Sequence, residues 1–186
     1  MKDGEGEDRG QRSDTAVPDQ FSGARRRAAA RIAHLAENRG IHIATAESLT
    51  GGLLASDLAQ APDASSWFRG GVVAYSPEVK RDVLCVRTGP VVSEHAVLDM
   101  ADGVAALLGA TATVAVSGVA GPTPLEGKDP GTVWIGVRHG SSTVAQLHHL
   151  TGEPQAICTK TCALALALLL RGLTAESADP AGDRRL

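Results

Sequence analysis

The stretch Ile41–Ala61, "IHIATAESLTGGLLASDLAQA", decides how the chain is read. "IHIATAE" is a short strand, the Ser-Leu-Thr-Gly-Gly segment is a turn, and "GGLLASDLAQA" is a helix that Pro62 closes. A strand that feeds a helix through a glycine pair opens a layered α/β arrangement. Upstream, "SGARRRAAARIAHLAENRG" reads as a helix. Ser22 is its cap, Ala29, Ile32, Ala33 and Leu35 form its apolar stripe, and Gly40 is its stop. Downstream, "WFRGGVVAYS" is a second strand and "PEVKRDVLCV" a short helix with Pro77 in its first turn. "SEHAVLDMADGVAALLGA" is a helix capped by Ser93, with Glu94 in the first turn supporting its dipole. "TATVAVSG" is almost continuously apolar, as a central buried strand should be. "GTVWIGVRHGSSTVAQLHHL" is two strands joined at "HGSS", and "PQAICTKTCALALALLLRGL" is the closing helix. Alternating strands and helices call for a sheet covered on both faces, and the hairpin makes that sheet mixed.

The 186 residues suit one domain with tails. Residues 1–20 are polar and of mixed charge, as a disordered tail would be, and residues 174–186 are similar; the domain is placed at 21–173. With 3% aromatic residues and 21 glycines, the core must be built from Ala, Val, Leu and Ile, which lets backbones approach closely. A net charge of -3 offers no basic field, so nucleic acid is not an expected partner. Cys85, Cys158 and Cys162 make an odd number with no C-x-x-C pair, which speaks against a disulfide framework or a zinc knuckle and fits a reduced cytoplasm. Cys158 and Cys162, four apart in an apolar run, read as small core-facing hydrophobes. The N-terminal segment lacks an apolar signal region, and the run Cys162–Leu170 is too short to cross a bilayer, so no membrane is expected.

Three polar segments marked by Gly or Pro each follow a strand: "TAESLTGG", "AYSPEVK" and "VSGVAGP". Ligands of layered α/β folds bind beyond the carboxyl ends of strands, so these segments are candidates for one pocket. Ser48 can cap the helix after its turn or act as a nucleophile; Thr50 can be the cap and leave Ser48 free. The amides of Thr50, Gly51 and Gly52 are candidate anion or oxyanion donors. A serine nucleophile needs a base, and none of the six histidines is an obvious partner; His148 and His149 are adjacent on a strand and point to opposite faces. Lys80 is a better candidate if burial brings its ammonium toward neutrality, with Tyr75 to relay a proton or orient it; the competing reading is a solvated lysine and a half-buried tyrosine. In "VSGVAGP", Ser117 can hydrogen-bond a ligand while Gly118 and Gly121 keep the backbone open. The loop "GPTPLEGKDPG" can cover the pocket, its Glu126, Lys128 and Asp129 reading as solvated charges.

Taken together, "TAESLTGGLLA", "GGVVAYSPEVKRDVLCV" and "AVSGVAGPTPLEGKDPGTVWIGV" resemble the CinA C-terminal domain family, in the right order from about Ile32 to Leu170. The resemblance implies an α/β fold, a three-layer α/β/α sandwich with a mixed, mostly parallel sheet. It implies a nicotinamide-nucleotide amidase, which hydrolyses the carboxamide of nicotinamide mononucleotide to nicotinate mononucleotide and ammonia without metal or cofactor. Ser48 matches the nucleophile, Lys80 the base and Tyr75 the supporting hydroxyl; Glu47, Thr50, Gly51, Gly52, Ser117, Gly118 and Gly121 fall in the matching binding segments. The expected partners are a small-molecule nucleotide and further copies of the chain in a dimer or larger assembly. The chain departs from the family pattern at "TGEPQAICTK": Glu153 and Pro154 stand where members commonly have Asp and Arg, and Thr159 or Lys160 occupies a second basic position. That departure motivates an alternative, a non-catalytic nucleotide-binding member.

Overall fold

The computed structural model describes residues 21–175. The tails assigned to residues 1–20 and to most of 174–186 therefore lie outside the described residues. Eleven elements follow one another: α1 (Ser22–Arg39), β1 (Ile43–Glu47), α2 (Leu53–Ala59), α3 (Ala64–Trp67), β2 (Phe68–Val73), α4 (Pro77–Leu84), α5 (Glu94–Leu108), β3 (Ala112–Gly118), β4 (Thr132–His139), β5 (Ser142–His149) and α6 (Pro154–Ala175). Only the single turn α3 is absent from the expected order. Gly40 in the left-handed conformation ends α1, and Ser76 and Ser93 cap α4 and α5 through the amides of Val79 and Ala96. Ser22 is not a cap: α1 already includes it, and Phe21 precedes it without a side-chain bond to the helix start.

The five strands form one sheet in the order β2-β1-β3-β4-β5. The ladders β2/β1 and β1/β3 are parallel, and β3/β4 and β4/β5 antiparallel, so β4 alone opposes the common direction. Every residue of β1 and β3 is buried, as their near-continuous apolar runs require. One face of the sheet packs Ile43, Val114, Val116, Ile135 and Val137 against α1, α2 and α6. The other packs Ala44, Ala46 and Ala115 against α4 and α5 through Leu84, Val97, Met100 and Val104. Helix α6 is long and apolar enough, by length and composition, to cross a membrane, a point that the shorter run Cys162–Leu170 does not reveal. Here Ile157, Cys162, Ala165, Leu166, Leu169 and Leu173 bury it in the core.

Small residues set the spacing of the layers. At Gly103 of α5, a Cβ would lie 2.1 Å from the carbonyl oxygen of Leu84, the last residue of α4. Alanine improves helix propensity there by about 1 kcal/mol but must push two backbones apart, and overpacking typically costs about 1–3 kcal/mol. Gly103→Ala is therefore expected to destabilise the domain despite the propensity gain. A urea midpoint unchanged or raised would contradict this close approach.

The chain leaves β1 toward β2 and leaves β3 toward β4, in opposite directions along the sheet. The carboxyl ends of β1 and β3 thus flank a topological switch point, the place where layered α/β folds leave a crevice for ligands. Ser48 follows β1 there, and the segment Ser117–Gly121 ends or follows β3.

Candidate active site

The turn after β1 is organised by Glu47, not by Ser48 or Thr50. The Glu47 side chain is fully buried. One carboxylate oxygen accepts from Thr50 Oγ1 at 2.7 Å and from the amides of Gly52 and Leu54 at 3.0 Å each. The other accepts from the Ala55 amide at 2.7 Å and more weakly from Thr45 Oγ1 at 3.4 Å. The orphan amides at the start of α2 are thereby satisfied by an acidic side chain from the preceding strand end, which also suits the helix dipole. Gly51 and Gly52 adopt the positive φ that lets the chain curl back over this carboxylate. Glu47 is thus not available to a substrate, and its expected binding role is corrected. Thr50 does not cap with its own oxygen; its hydroxyl donates to Glu47.

This leaves the Ser48 hydroxyl unused by the helix. It meets Lys80 Nζ at 2.9 Å, although the two residues are 32 positions apart. Lys80 projects from the first turns of α4 and is 1% exposed. Its Nζ also reaches the carbonyl oxygens of Ala74 at 2.8 Å and Tyr75 at 3.3 Å. No carboxylate contacts it among the described residues. Burial lowers its pKa from 10.5 to about 8, against a smaller opposing pull from Glu126 and then Glu78. As an ammonium, Lys80 donates to all three oxygens; once neutral, its two N–H groups can stay on the two carbonyls and its lone pair can accept from the Ser48 hydroxyl. A buried lysine without an ion-pair partner beside a serine is a candidate functional site and not a solvated helix surface.

Tyr75 does not supply a hydroxyl to this pair. Its side chain is 73% exposed, and what it gives Lys80 is its backbone carbonyl. Ser117 is buried, and its hydroxyl donates to the Val91 carbonyl at 2.6 Å. Gly118 is required for packing: a Cβ there would lie 2.6 Å from the Thr132 carbonyl oxygen and 2.9 Å from Val133 Cα. Gly121 has φ +98 and lies against Pro130 at the start of the long loop. Glu126 is the residue the sequence did not reveal. Its carboxylate accepts from the amides of Val91 and Val92 at 3.1 Å each, fastening the loop after β3 to the segment before α5. Ser117 and Glu126 thus hold Val91 from opposite sides of the same backbone.

The oxyanion donors also narrow. The Gly51 amide donates to the Ser48 carbonyl at 3.1 Å, and the Gly52 amide to Glu47. Ser48's own amide donates to the Val116 carbonyl. Of the three candidates at Thr50, Gly51 and Gly52, only the Thr50 amide has no acceptor among the described residues. At "TGEPQAICTK", Pro154 begins α6, and Lys160 Nζ is bound to the Thr151 carbonyl. A cleft of about 540 Å³ between α4 and α5 and one of about 580 Å³ between α1 and α2 contain neither Ser48 nor Lys80. No group of three or more His, Cys, Asp or Glu able to hold a metal occurs among the described residues.

The CinA C-terminal domain family matches residues 25–173. A CinA-like protein of Frankia casuarinae is 42% identical over 153 residues, covering 78% of this chain and 35% of its own length. A protein of a Geobacillus species, called a putative competence-damage inducible protein, is 42% identical over 139 residues, 72% of this chain and 33% of its own. The chain thus spans about a third of the length of these curated relatives. A crystal structure of a CinA superfamily protein from Klebsiella pneumoniae superposes with a TM-score of 0.78 at 35% identity, covering 81% of this chain and 98% of that one. One of competence/damage inducible protein CihA from Agrobacterium tumefaciens gives a TM-score of 0.77 at 30% identity, over 82% of this chain and 96% of the other. The family match over residues 25–173, the relatives and the shared fold show that the chain belongs to the family of CinA C-terminal domains.

Proposed function

We propose that this domain is a serine–lysine amidase acting on the carboxamide of a pyridine mononucleotide, with nicotinamide mononucleotide as substrate and nicotinate mononucleotide and ammonia as products. The observation that carries the reading is the 2.9 Å contact between Ser48 Oγ and the buried Lys80 Nζ, which touches no carboxylate among the described residues. The neutral amine takes the Ser48 proton as Oγ attacks the amide carbon. The Thr50 amide stabilises the charge that develops on oxygen, and the ammonium then protonates the departing nitrogen. Water, activated by the same amine, releases the acid and restores the serine.

The test is ammonia release from nicotinamide mononucleotide by the purified chain, with Ser48→Ala as control. Ammonia no higher than with that variant rejects the reading. The pH profile is a second check. The active form is the neutral amine, so kcat/KM should rise with pH and level off above an inflection near 8, the pKa of Lys80. At pH 7 about one molecule in ten then carries the base form. A profile flat from pH 6 to 9 would remove Lys80 from the role of base.

A second reading, nucleotide binding without turnover, is favoured by one local observation. By the pattern that the family resemblance implies, Pro154 stands at an arginine position, and the nearby Lys160 ammonium is engaged by the Thr151 carbonyl. Binding of the mononucleotide with no turnover, unaffected by Lys80→Ala, would select it.

A further inference from the structure

We infer that Cys158 is a positioning residue of this site: from α6, its thiol holds the Leu49–Thr50 peptide so that the Thr50 N–H faces the oxygen that gains charge when Ser48 attacks. The inference rests on Ser48 being a nucleophile. The Ser48 carbonyl accepts from the Gly51 amide, so Ser48–Gly51 is a β-turn with Leu49 and Thr50 at its centre. The middle peptide of such a turn is its least constrained part. Turns of types I and II differ by a flip of that peptide, which exchanges the faces of its C=O and N–H. Thr50 does not have a positive φ, so the peptide has the type I sense.

Two features maintain that sense. Thr50 is β-branched and resists the positive φ that the flipped form requires. Cys158 Sγ donates to the Leu49 carbonyl at 3.1 Å, across 109 residues of chain. The C=O and N–H of one trans peptide point in opposite directions. A thiol that fixes the carbonyl toward α6 therefore aims the N–H away from α6. Lys80 approaches Ser48 from α4, on the other face of the sheet from α6. The Thr50 N–H is thus directed to the side where the base and nucleophile meet. Burial raises the Cys158 pKa above its ordinary value, which keeps the thiol a donor.

The probe is a fluorophosphonate, with intact-mass readout. Ser48 Oγ forms a bond to phosphorus, fluoride leaves with the bonding electrons, and the hydroxyl proton passes to Lys80. The phosphoryl oxygen then occupies the oxyanion position. Cys158→Val fills the volume without a donor, Cys158→Ala removes both, and Cys158→Ser retains a donor. Val and Ala are expected to slow labelling about tenfold, with Ser within about threefold of wild type. On nicotinamide mononucleotide the loss should fall on kcat and leave KM unchanged. Wild-type labelling rates for Val and Ala, or a Ser variant no faster than Val, would overturn the proposal. Absence of labelling at Ser48 in wild type would overturn it together with the nucleophile assignment. Labelling as expected, without ammonia release from the mononucleotide, would reject only the substrate assignment.

Discussion

Ser48→Ala and Lys80→Ala are each expected to lower amide hydrolysis by about a thousandfold or more while leaving the fold intact, and the double variant should be no worse than either single. The non-additivity follows from the geometry. In the proposed mechanism the serine is activated by the amine 2.9 Å away, so the two are expected to act as one unit. Lys80→Arg is as informative as alanine, because a guanidinium keeps its proton and cannot accept one from serine. Tyr75→Phe should retain activity within about threefold, since the residue contributes a carbonyl and not its exposed hydroxyl. Rates measured for this set decide between a serine–lysine pair and a mechanism that needs the tyrosine. A large loss in Tyr75→Phe, with Lys80→Arg active, would reverse the assignment.

What could be read from the sequence was what repeats a local rule. The order of elements along the chain, Pro77 in the first turn of α4, the cap at Ser93, the stop at Gly40 and the hairpin at Gly140 follow from residues within a few positions of each feature. The pairing of Ser48 with Lys80 did not follow from spacing, and there the resemblance to a family supplied the expectation. The failures share a cause as well. Glu47 satisfies amides five to eight residues downstream, which no local capping rule describes, because the glycine pair folds the chain back over it. Glu126 looks like a solvated loop charge until the loop is placed beside Val91 and Val92. Tyr75 carries a conspicuous hydroxyl, yet it is its carbonyl that meets Lys80, and carbonyls have no residue identity to read.

Glu47→Ala is expected to produce the largest loss of stability of any single change at the site, about 3–5 kcal/mol, or roughly 10 °C in Tm. The carboxylate is fully buried and is the acceptor for three amides and the Thr50 hydroxyl. Its removal leaves the start of α2 without partners and the Gly51–Gly52 loop with nothing to curl around. Glu47→Gln tests this more sharply. It keeps the volume and one acceptor oxygen but turns an NH2 group toward donors, so it should also destabilise, by about 2 kcal/mol. A substrate-binding glutamate behaves otherwise: the glutamine variant would fold normally and show a raised KM. The measurement is a pair of thermal melts alongside KM for the glutamine protein. Wild-type stability with a raised KM would return Glu47 to the ligand. Lowered stability with KM little changed in the folded fraction would establish it as the acid that builds the turn, freeing the Ser48 hydroxyl for chemistry.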